Sequence, residues 1–139
     1  MISSGTIKRG LHRGFSTTWT LTKVVVPVYL VVTLLKYTPV LDWVAGLFAP
    51  VMHMFGLPGE VSLVLVLGKL INLYAAIGAI TSLDLSHREI TIIATMLLLS
   101  HSLPIESAVS GRTGVNAALV TAFRISMAML SGILLNLML

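Results

Sequence analysis

The most restrictive feature of this sequence is the apolar run from Thr17 to Tyr37, with Val24-Val25-Val26 and Leu34-Leu35 inside it. At 1.5 Å per residue, a helix of that length crosses a hydrocarbon core of about 30 Å. Trp19 and Tyr37 bracket the run as interfacial aromatics, and Lys23 and Lys36 lie near enough to its ends to reach the headgroups. Pro27 predicts a kink, because its ring clashes with the preceding turn and frees a carbonyl. The rest of the chain agrees with a bilayer as solvent. Its 139 residues are 56% hydrophobic and only 10% charged, and its mean hydropathy is +0.98, whereas a soluble domain carries roughly a quarter charged residues.

The net charge of +4 raises nucleic acid as a partner. The basic residues are scattered, however, and their densest group, Lys8, Arg9 and Arg13, precedes the first apolar run. That placement points to anionic lipid headgroups and away from nucleic acid. Up to Phe15, the residues Ile7, Leu11 and Phe15 recur at four-residue spacing, which reads as an interfacial amphipathic helix over 1–16, with a disordered basic tail as the alternative. Residues 17–139 are then one membrane domain. The polar start Met-Ile-Ser-Ser-Gly predicts no signal peptide. With no cysteine, disulfides, thiolate metal sites and cysteine nucleophiles are excluded.

The next apolar segments are interrupted. Val40 to Phe55 contains Asp42, Pro50 and His53, and ends in the breaker cluster Gly56-Leu57-Pro58-Gly59-Glu60. Val61 to Ile80 then carries Gly68, Lys69, Asn72 and Gly78. These two segments are either full crossings with Glu60 in an aqueous loop or the arms of a re-entrant hairpin whose tip is residues 56–60. The first arm is short, which favours the hairpin, and a tip at membrane depth must be buried in protein or line a cavity. After a polar loop, Ser86 and Glu89 stand at capping-box spacing and start a helix. That helix stops at Ser100-His101-Ser102-Leu103-Pro104-Ile105-Glu106. Gly111 to Gly114 is a second break, and a last helix from about Val115 to Leu139 crosses the bilayer with Arg124 and Asn136 inside it.

An ionisable group in hydrocarbon costs on the order of 2.5 kcal/mol or more, so Glu60, Lys69, His101, Glu106 and Arg124 each need a partner, a cavity or a route to the interface. For Lys69 and Arg124, snorkelling or a register-fixing ion pair weighs evenly with function. Glu60 and the segment from His101 to Glu106 coincide with helix breaks, where free backbone groups and helix dipoles bind ions and polar solutes. His53, His101, Glu60 and Glu106 offer metal ligands, yet no pair has metal-motif spacing. A hydrolase would need a nucleophile elbow, which is missing, so an enzyme is not expected.

With these residues in place, the stretch from about Gly56 to Gly114 resembles the Gate, or nucleoside recognition, domain of spore maturation membrane proteins and one repeat of the concentrative nucleoside transporters. The resemblance rests on Gly56-Leu57-Pro58-Gly59-Glu60, Gly68-Lys69-Leu70-Ile71-Asn72 and the segment from Ser100 to Glu106. It implies that Gly59 and Glu60 lie at the hairpin tip, Asn72 on the second arm, and His101, Ser102 and Glu106 at an unwound helix, together binding solute or ion. It further implies a bacterial inner-membrane, multi-pass location.

The expected fold is therefore an all-α membrane protein with an N-terminal interfacial helix, about three transmembrane helices of which one is broken, and a re-entrant hairpin. Three crossings put the termini on opposite faces, so two copies in opposite orientation would rebuild an inverted-repeat scaffold. The bias of basic residues between the faces is mild and permits such mixed insertion. The expected function is a homodimeric transporter for a small polar solute or ion. It needs no cofactor beyond a coupling cation such as sodium or a proton. The alternative is a structural or regulatory subunit of a larger complex.

Overall fold

The computed structural model describes residues 4–139, and among them every regular element is helical. The elements are α1 (Ser4–Leu35), α2 (Pro39–His53), α3 (Val61–Leu70), α4 (Leu73–Ile80), α5 (His87–Ser100), α6 (Leu103–Arg112) and α7 (Ala117–Met138). Three stretches are long and apolar enough to cross a membrane: Gly5–Leu35, His87–Arg112 and Ala117–Met138. The second of these is the broken one, since α5 and α6 meet at His101 and Ser102. Large apolar side chains such as Leu34, Phe123, Leu130 and Leu134 are exposed along α1 and α7. A surface of this kind needs lipid or another protein against it.

One boundary differs from the sequence expectation. The described part of 1–16 is not a separate element, because α1 continues unbroken from Ser4 through Leu35. Gly10 and Gly14 are the only breakers at the proposed junction, and an internal glycine costs a helix only about 1 kcal/mol. Pro27, likewise, is absorbed within α1 without ending it.

A second difference concerns the hairpin. Its tip is at Ile71 and Asn72, not at residues 56–60. A Cβ built on Gly68 would stand 3.0 Å from Ala76 Cβ. In a continuous helix residues eight apart are separated by about 12 Å, so the chain reverses between them. The arms α3 and α4 have 10 and 8 residues, too few to cross a bilayer. The cluster from Gly56 to Glu60 instead joins α2 to the base of this hairpin. Gly56 is left-handed there, with φ of 63°, and its carbonyl accepts from Arg88 at 3.2 Å. Arg88 also pairs with the Asn136 side chain, and Asn136 donates to Met54 O, so the connection is tied to α5 and α7.

The core is made where the hairpin meets α5 and α7. Val61 and Val64 of α3, Ala76 and Ala79 of α4, and Ile92, Ile93, Met96 and Leu97 of α5 are buried with Phe55 and Ala128. Small residues allow the close approach. Gly78 of α4 packs on α1, where a Cβ would lie 2.7 Å from Val25 O.

Candidate functional site

Two helix interruptions lie against each other. The first, at the hairpin tip, has Ile71 at φ −99° and ψ −81° and Asn72 extended. Asn72 Oδ1 accepts the Ala75 N–H at 2.9 Å and so caps α4. Asparagine competes with the backbone inside helices and satisfies free N–H groups at their starts, which is why the turn falls at this residue. The second interruption follows from Pro104, which has no N–H to continue α5 and occupies the first turn of α6. Ser102 adopts a left-handed conformation at φ 48°, a strained choice for a residue with a side chain.

A backbone hydrogen bond joins the two: Ser102 N–H donates to Gly68 O at 3.0 Å. Glycine at 68 makes this possible, because a Cβ there would meet Leu97 Cδ2 at 2.6 Å. The left-handed turn thus aims an N–H from one broken helix at the last turn of the hairpin's first arm.

Ionisable groups from three helices surround this crossing. Arg124 of α7 donates from Nε to Leu99 O at 3.0 Å, answering one of the free carbonyls at the end of α5. Its Nη1 pairs with Glu106 Oε2 in the first turn of α6. His101 Nε2 is 3.6 Å from Glu106 Oε1, while His101 Nδ1 is enclosed without a hydrogen-bond partner in the protein. Lys69 Nζ donates to Ser100 Oγ at 2.6 Å, and that hydroxyl, itself fully buried, donates to Met96 O at 3.0 Å.

Of the residues expected to form a site, the structure thus brings Asn72, His101, Ser102 and Glu106 to one crossing. It does not bring Gly59 and Glu60 there. Glu60 stands just before the opposite end of α3, roughly 15 Å along the helix from Asn72. Gly59 is packed against the Ala45 carbonyl of α2. Lys69, Arg124 and Ser100 join the cluster. Lys69 was legible as a charge three residues before an asparagine in an apolar run; Ser100 carried no signal beyond its place in the break. No group of three or more His, Asp or Glu side chains suited to a metal ion exists among the described residues.

Comparison with known proteins agrees with this architecture. The sequence model of the Gate family, described as nucleoside recognition, matches residues 18–138. The chain is 52% identical over 128 residues to the uncharacterized membrane protein YvoD of Bacillus subtilis, a match covering 92% of this chain and 41% of that protein. It is 41% identical over 75 residues to the inner membrane protein YjiG of Escherichia coli, covering 53% of this chain and 48% of that protein. The chain therefore spans less than half the length of the curated relatives it matches. No solved structure matches it. By the extent of the family match and by its interrupted helices, the chain belongs to the Gate, or nucleoside recognition, family of membrane proteins.

Proposed function

We propose that this protein is a transporter-like membrane protein that binds or moves a small polar solute or ion where its two interrupted helices cross. The observation that carries the reading is the Ser102 N–H to Gly68 O bond. It holds the α5–α6 interruption against the last helical turn before the hairpin tip, amid Lys69, His101, Glu106 and Arg124. Backbone without helical hydrogen bonding is tolerated at membrane depth only where protein shelters it or a cavity runs beside it. Charged groups there mark solute and ion pathways. Broken helices meeting at a polar site are the arrangement secondary transporters use.

The second half of the site would come from a second Gate unit in the opposite orientation, most simply another copy of this chain in an antiparallel homodimer. The relative from Escherichia coli is named an inner membrane protein, which supports a bacterial inner-membrane location for this chain. A coupling cation, sodium or a proton, would engage Glu106, the one carboxylate at the crossing. In proteoliposomes, uptake of the transported solute should fall on Asn72→Ala or His101→Ala, and Glu106→Gln should remove its response to a sodium or pH gradient. Uptake indifferent to all three changes would end the reading.

A structural subunit is the competing reading, favoured by the exposed apolar faces of α1 and α7. It predicts a stoichiometric complex with another membrane protein and no solute binding by either the complex or the isolated chain.

A further inference from the structure

The charges at the helix crossing do not cancel. Among the described residues Glu106 is the only carboxylate there, and Arg124 is paired with it. Lys69 is left with a serine hydroxyl as its partner and with no acidic group.

The chain has only five acidic residues, and the other four are engaged or placed elsewhere. Asp84 pairs with Lys36. Glu89 closes the capping box at the start of α5, at the end of that helix away from Ser100. Asp42 is in the first turn of α2, and Glu60 stands at the far end of α3. Snorkelling does not account for Lys69, because its ammonium donates to the fully buried Ser100 hydroxyl instead of reaching outward. Arg124 is committed to Glu106 and to Leu99 O and does nothing to balance it.

From this imbalance we infer that the crossing takes an oxyanion, a small carboxylate- or phosphate-bearing solute, with Lys69 as its principal charge partner. The inference rests on the reading of the crossing as a solute site and narrows its substrate class. An uncharged nucleoside would leave the lysine uncompensated in a medium of low dielectric. A cation taken as the sole solute, with no anion beside it, would meet two positive side chains and a single carboxylate. The start of α6, which has no side-chain cap, adds a favourable dipole for an anion. His101 Nδ1, enclosed without a hydrogen-bond partner in the protein, offers a second polar contact.

The test uses the full chain purified in lipid nanodiscs, with thermal unfolding followed against inorganic phosphate, succinate and uridine at ionic strength matched with chloride. Ligand that binds only the folded state raises the midpoint. Phosphate or succinate should stabilise the protein, and which of them does so separates phosphate from carboxylate recognition. Lys69→Gln should weaken that binding by at least about tenfold, the usual scale for removing a charge partner. Glu106→Gln releases Arg124 and should tighten anion binding, the reverse of its effect on a bound cation. Stabilisation by uridine alone, equal in the wild type and Lys69→Gln, would leave the solute site standing and overturn the anion. An anion effect that survives Lys69→Gln unchanged would overturn it as well. Stabilisation of the folded protein by none of the three would count against the crossing as a solute site and take this inference with it.

Discussion

Lys69 and Arg124 show how two cations in apolar helices acquire different roles. Arg124 is engaged twice: its guanidinium donates to the Leu99 carbonyl and pairs with the Glu106 carboxylate at once, using the planar fork that suits both. Lys69 has a hydroxyl and no counter-charge, so in the absence of solute it is a cost. Lys69→Met should therefore raise the stability of the solute-free protein by about 1 kcal/mol, because replacing an uncompensated, partly buried charge with an apolar side chain removes its desolvation penalty. Thermal unfolding in detergent measures it. A drop in the midpoint would show that the lysine supports the fold, and the case for an open charge would weaken. Ser102 belongs at this scale too. Its left-handed backbone is the strained point that turns an N–H towards Gly68, and strain of this sort is kept where a site requires it.

At the scale of elements, the hairpin of α3 and α4 depends on small residues on both of its faces. Gly68 seats it against Leu97 of α5, and Gly78 seats it against the Val25 carbonyl of α1. Without a hydrophobic drive between helices in lipid, such close contacts carry much of the association. Gly78→Leu should cost about 2 kcal/mol through overpacking, read as a lower unfolding midpoint. Gly46→Ala, inside α2 where nothing lies within 4 Å of the added carbon, should instead raise stability by about 0.5–1 kcal/mol. Equal effects at the two positions would mean that the α1–α4 contact does not hold the hairpin. Much of this level was readable in advance. The capping box at Ser86 and Glu89 is present as its spacing predicts, and the break before Pro104 follows from the missing N–H. The tip was not. Gly56 to Glu60 holds more breakers than Ile71-Asn72, yet those breakers make a connection tied down by Arg88, and one capping asparagine suffices to reverse the chain.

For the molecule as a whole, three stretches long and apolar enough to cross a membrane predict that the two ends of the described chain face opposite sides of it. The chain has no cysteine, so Thr6→Cys and Leu137→Cys can each be introduced into a silent background. In any one molecule the two positions should be labelled by an impermeant thiol reagent from opposite faces. A population inserted in both orientations, which an antiparallel pair requires, should show each position labelled partly from each side. Labelling of Thr6→Cys from one face only would remove the antiparallel homodimer while leaving the helix crossing as it is.

Sequence alone determined the solvent, the helical class, the three crossings and the location of one break. These follow from composition and from local rules about proline, glycine and caps, which act over a few residues. Only the tertiary structure decided which interruptions meet. Gly59 and Glu60 looked equivalent to Asn72 as site residues, and what separates them is the reversal of the chain after Leu70, which leaves Glu60 at the base of the hairpin and carries its tip to Ser102. Charge balance is decided at the same level. Whether a lysine is paired depends on which of five carboxylates the fold brings within reach, and that is a property of distances between helices, to which the order of residues along one helix is blind.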